Sequence, residues 1–177
     1  MTFLRPCLNF LYRFSGGCAA ACLVMILVLI VVQMLARWTG EVFPGAPDYA
    51  GYAMAAASFL AFSYALNRGA HIRVSLLLNI LPPRWRFILD LWCLGLATVI
   101  GWYVAFYAWR FTFWSWKFGD ISQGQDATAL WIPQSFMLLG AIILAIALTD
   151  NLLTLLVTGK HRIAAGHIER SGAAEKP

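Results

Sequence analysis

Two carboxylates, Asp90 and Asp150, stand at the margins of long apolar stretches in this 177-residue chain. An ionisable group in hydrocarbon is costly unless paired or wetted, so such residues commonly mark ion coupling or proton relay. Their spacing points elsewhere. Asp90 follows Arg86 by four residues, which lets the two pair along one helix face, about 9 Å of helical rise into its segment. Asp150 comes about 26 Å of rise after Pro133, close to the far limit of its own segment. Both are therefore expected as boundary ion pairs with Arg68, Arg84, Arg86 or Lys160, and not as a translocation site.

The other reactive side chains carry less. His71 is the only histidine near the apolar segments, with His161 and His167 in the C-terminal tail. A haem-bearing anchor commonly needs two axial histidines inside its helices, so His71 is expected to meet a backbone carbonyl, a lipid phosphate or a partner. Cys18 and Cys22 share a helix face and read as small polarizable packing residues; they form C-x-x-x-C, not the redox spacing C-x-x-C. The chain has no phosphate-binding glycine loop, no H-E-x-x-H and no nucleophile elbow. No catalytic residue, cofactor or metal ligand is expected, and the chain reads as a non-enzyme.

Composition says which elements must hold these residues. The chain is 61% hydrophobic and 12% charged, far from the roughly quarter-charged makeup of a soluble domain. Four uncharged stretches are each near the length of about 20 residues that a bilayer crossing requires. They lie within expected spans at about 17–38, 49–68, 85–110 and 130–157. The predicted fold is an all-α membrane protein with four transmembrane helices in one bundle over residues 1–163, and residues 164–177 form a disordered cytoplasmic tail.

The formal charge of +5 could suggest nucleic acid, but its distribution is topological. Basic residues gather at the N-terminus, at the second connection (Arg68, Arg73, Arg84, Arg86) and at the C-terminus. Because basic residues are retained on the cytoplasmic side, both termini and the second connection are predicted inside. The first and third connections carry Glu41, Asp48, Asp120 and Asp126 and are predicted outside.

Three further features stand out. Ala53, Ala57, Ala61 and Ala65 recur every four residues, a smooth groove for close helix packing. An aromatic run from Trp102 through Trp114 and Trp116 suits a headgroup belt, and is long enough that part of it could face a partner. Residues 71–81 are apolar, with His71, Ser75 and Asn79 on one stripe; they are too short to span and are predicted as an amphipathic helix lying in the cytoplasmic interface. Pro82 and Pro83 stop that helix before Arg84, Trp85 and Arg86.

The stretch RGAHIRVSLLLNILPPRWR (68–86), set between an alanine-rich span and a hydrophobic one, resembles the signature of the DctQ-type small membrane subunit of TRAP (tripartite ATP-independent periplasmic) transporters. Glu41 after the first span, and LWIP entering the fourth span with Gly140 in it, are similar to that family too. Ser75 stands where the family pattern would have an acidic residue. The resemblance implies a small permease subunit in the bacterial inner membrane. Its partners would be a large sodium-coupled membrane subunit and a periplasmic substrate-binding protein, and the system would take up organic acids. It also implies roles by position. Arg68, His71, Arg73, Arg84, Trp85 and Arg86 would contact phospholipid. Glu41, Asp48, Asp120, Asp126, Trp114 and Trp116 would meet the binding protein. The alanine row and the aromatic run would meet the large subunit. The rival from another class is a self-sufficient homo-oligomeric transporter coupled through Asp90 or Asp150.

Overall fold

The computed structural model describes residues 4–41, 44–67 and 82–158. The predicted interfacial helix at 71–81, with Arg68, His71 and Arg73, lies outside the described residues. So do Lys160, the tail at 164–177, and the side chains at 84 and 86.

Local sequence sets the helix ends. Helix α1 (Leu4–Thr39) is 36 residues long. Helix α2 (Ala46–Asn67) begins where the Gly45 carbonyl accepts from the amides of Asp48 and Tyr49, each at 3.0 Å. Its first turn holds Pro47, whose missing N–H costs nothing there, and Asp48, which suits the positive end of the helix dipole. Helix α3 (Pro83–Phe118) follows the extended Pro82 and stops at Gly119, whose left-handed φ of 66° lets its N–H reach the Ser115 carbonyl. Helix α4 is Trp131–Thr158, with Pro133 in its first turn. All four are long and apolar enough to cross a membrane.

The four predicted helices form an open row in the order α1, α2, α4, α3. α1 packs on α2, α2 on α4 and α4 on α3, while α1 only grazes α4. Burial follows that order: 33% and 39% of the apolar windows of the central α2 and α4 are buried, against 6% in α1 and 22% in α3. A row can stay open because lipid tails are as apolar as leucine, so no hydrophobic force closes it; close packing and polar contacts hold the seams.

Each seam has its own device. Between α1 and α2, the buried Ser15 hydroxyl donates to the Leu60 carbonyl at 2.6 Å, and the Ser63 hydroxyl reaches both Ser15 Oγ and the same carbonyl at 3.3 Å. Between α2 and α4, a side chain at Gly140 would begin 2.7 Å from the Phe59 carbonyl carbon, so the two backbones nearly touch. Ala53 and Ala57 are buried, and Ala61 and Ala65 half-buried, within the packing of this chain. Between α4 and α3, Gly101 fits against Leu148 and Ala145, and Trp102 donates its indole N–H to Thr149 at 3.1 Å.

These contacts fix a stagger. Gly45 meets Asp126 and Phe59 meets Gly140, so α2 and α4 run parallel and level. Referred to them, the uncharged stretch of α1 is displaced toward the end bearing the loops, and that of α3 toward the opposite end. At 1.5 Å per residue the stagger from α1 to α3 is about 20 Å. A flat hydrocarbon layer fits all four stretches only if the helices cross it tilted, which their length permits.

Candidate functional site

Two surfaces carry the polar and aromatic groups that could engage something other than lipid: the loop end, and the side of α3 turned away from α4.

At the loop end, residues 119–130 close into a compact turn. The Ser122 amide donates to the Thr128 carbonyl at 2.8 Å, the Leu130 amide to the Asp120 carbonyl at 3.0 Å, and Ile121 bridges Ala129. Tyr52 of α2 pins the turn by donating to Ser122 Oγ at 2.8 Å, and the same oxygen accepts from the Gly124 amide at 3.1 Å.

This packing sorts the acidic residues. A side chain at Gly124 would strike both Asp48 Oδ2 and Asp126 Oδ1, so the two carboxylates face one small space over the start of α2. Both are half-buried. The Asp126 oxygens are shut off from solvent and close no hydrogen bond of normal geometry. The hydroxyl of Thr128 first, then those of Ser122 and Tyr52, hold its pKa below the usual carboxylate range, against the opposing effect of desolvation. Glu41 and Asp120 are exposed. Of the four loop acids expected to face outward, two stand free at the surface and two turn toward the junction of α2 with the turn. No spacing rule could have paired Asp48 with Asp126; only the level packing of α2 beside α4 does so.

On α3, Leu94, Thr98, Ala105 and Ser115 are buried toward α4. The opposite stripe is exposed: Leu96, Val99, Tyr103, Phe106 and Tyr107, then Arg110. The rings of Tyr103 and Tyr107 lie 4.5 Å apart. Beyond Arg110, Trp114 stacks on Phe118 at 5.3 Å and carries the Lys117 ammonium 5.0 Å above its ring. Trp114 and Trp116 are both exposed. From Trp102 to Trp116 the aromatic run extends about 21 Å along the axis, too tall for a single belt at one headgroup layer.

At the other end Trp85 is 61% exposed. Asp90 and Asp150 are half-buried, and each takes part in a polar or charged interaction. The buried Asn151, whose amide donates to the Ala147 carbonyl at 2.8 Å, and the Ser15–Ser63 contact escaped sequence analysis. Their only sequence signal is a small polar residue within an apolar helix.

Residues 26–158 match the family model of the DctQ component of tripartite ATP-independent periplasmic transporters. The chain belongs to the DctQ family. No curated protein matches it. The match starts within α1 and ends with α4, so it covers most of the helical row and both surfaces just described. As a DctQ chain it is a membrane component of a transport system, with four helices able to span the bilayer.

Proposed function

We propose that this DctQ chain is the non-catalytic small permease subunit of a TRAP symporter in the bacterial inner membrane. It braces a large sodium-coupled membrane subunit and helps a periplasmic substrate-binding protein dock for organic-acid uptake. The family match across residues 26–158 carries this reading. The open row supports it, since a flat layer with packed central seams suits a supporting wall.

In this reading both termini and the second connection lie in the cytoplasm, in accord with their basic residues. Arg68, His71, Arg73, Arg84, Trp85 and Arg86 meet phospholipid there, residues 71–81 lie in the interface, and Asp90 and Asp150 pair with neighbouring arginine or lysine. At the periplasmic end the exposed Glu41, Asp120, Trp114 and Trp116 offer the first contacts to the binding protein. Asp48 and Asp126 stand behind them and hold the turn to α2.

Reconstitution tests the proposal. Liposomes holding this chain with its large subunit and binding protein are expected to take up substrate along a sodium gradient, and liposomes holding this chain alone are not. Uptake by the chain alone would overturn the supporting role in favour of a homo-oligomeric transporter coupled through Asp90 or Asp150.

A further inference from the structure

The charges bounding the apolar part of α3 give a depth scale that does not depend on which end is inside. Asp90 and Arg110 enclose an uncharged stretch about 28 Å long, close to the hydrocarbon thickness of about 30 Å. Tyr103 lies about 5 Å and Tyr107 about 10 Å from its middle. Side chains on a helix lean toward its N-terminus, so both tyrosines lean toward the bilayer centre and away from the nearer headgroups. They are 61% and 47% exposed on this chain. Tyr103 has Val99, 67% exposed, one turn before it and Phe106, 57% exposed, beside it.

Tyrosine is favoured at the membrane boundary because its ring and its hydroxyl are both satisfied there. Near the midplane an acyl chain offers a hydroxyl nothing, and a polar group without a hydrogen-bond partner is unfavourable in hydrocarbon. The two tyrosine rings lie 4.5 Å apart, so one hydroxyl can at most serve the other, which uses one of their two hydrogens. Among the described residues nothing takes the second. Trp102, at the same depth, has its N–H satisfied by Thr149 of α4. The neighbouring helix therefore meets the polar group on its own side and leaves those on the far side for another occupant.

We infer that the stripe of α3 carrying Leu96, Val99, Tyr103, Phe106, Tyr107 and Arg110 docks a transmembrane helix of the large subunit. That helix presents a hydrogen-bond acceptor, a hydroxyl, amide or free carbonyl oxygen, opposite Tyr103 and Tyr107. The inference rests on the proposed function and adds to it the contact face. The alanine row is not that face, since Ala53 and Ala57 are already buried inside this chain. The outward side of α1 is the natural lipid surface. Its exposed residues from Leu23 to Leu35 are leucine, valine, isoleucine and methionine, and the one polar side chain in that run, Gln33, is half-buried and only four residues before Arg37.

The test places the photocrosslinker p-benzoylphenylalanine at position 99 or 106, and at position 27 of α1 as reference, in cells that also make the tagged large subunit of the same transporter. Positions 99 and 106 are expected to give an adduct containing the tagged large subunit, and position 27 none. The double substitution Tyr103→Phe with Tyr107→Phe keeps the rings. It is expected to lower co-purified large subunit about threefold, as loss of one interhelical hydrogen bond in a membrane does, while Leu27→Ala leaves recovery unchanged. Two outcomes overturn the inference while the large subunit still co-purifies with the unsubstituted chain. One is crosslinking at 99 and 106 no greater than at 27; the other is an adduct of two copies of this chain. If the large subunit does not co-purify at all, the proposed function falls, and the docking face falls with it.

Discussion

Helices α1 and α3 are both 36 residues long, both stand at an edge of the row, and both expose most of their large apolar side chains. They differ in what they expose. α1 presents branched aliphatic residues and methionine through its middle, while α3 presents tyrosine, phenylalanine and tryptophan from Trp102 to Phe118. Lipid solvates the first surface fully, whereas the second carries hydroxyl groups at a depth where lipid has no partner for them. Exposure within a membrane protein is therefore uninformative by itself. The chemistry exposed, together with its depth, separates a lipid face from a docking face.

The centre of the row holds both edges in place, so the most disruptive change is made there. Gly140→Leu forces α4 away from the Phe59 backbone and is expected to destabilise the whole chain by about 3 kcal/mol, the upper part of the usual range for overpacking. Gly17→Leu on α1 meets open space and is expected to be neutral. Melting of the two purified variants in detergent checks the pair, and equal losses would mean that α2 and α4 are not in close contact.

The two edges can then be compared directly. Phe106→Ala on α3 is expected to weaken recovery of the large subunit about tenfold, as truncation of an aromatic anchor at an interface centre does, and Val28→Ala on α1 is expected to leave it unchanged. Pull-down of the tagged large subunit under fixed washing reads both, and a larger effect at Val28 would reverse the assignment.

Smaller effects should separate the seams. Ser15→Ala removes the hydroxyl that bonds the Leu60 carbonyl and is expected to loosen α1 alone, by about 1 kcal/mol. Trp102→Phe removes the bond to Thr149 and is expected to loosen α3 by a similar amount. Accessibility of single cysteines placed along each helix distinguishes the two, and coupled loosening of both edges would show that the row is not modular.

The smallest effect belongs to the loop end. The fold holds Asp126 more acidic than an ordinary carboxyl group. Its ionised form therefore favours the folded turn above about pH 4, and that contribution is lost as the pH falls below it. The wild-type chain should lose thermal stability on acidification through that range, and Asp126→Asn should lose less. Identical acid profiles would show that the Thr128, Ser122 and Tyr52 hydroxyls do not act on this carboxylate.

How much of this was legible beforehand varies with the physics of each feature. The four helices could be read directly, because crossing a bilayer demands uninterrupted apolar length and charge at the crossing point is costly. The family could be read from the 68–86 segment, although that segment lies mostly outside the described residues. The start of α3 beside Pro82 and Pro83 could be read from backbone chemistry alone, whereas its end could not: the helix runs past the predicted limit near 110 and stops only at Gly119. The order of the helices could not, since a row and a closed bundle bury different faces of helices whose residues are apolar all round. Nor could the inward turn of Asp48 and Asp126, which depends on α2 and α4 standing level. Sequence by itself determined that this chain enters a membrane, how many times it can cross, and which residues are too polar for lipid. Tertiary structure decided which of those polar residues are satisfied within the chain and which are not, because hydrogen bonds between helices depend on relative height and rotation, and neither is encoded in any one segment.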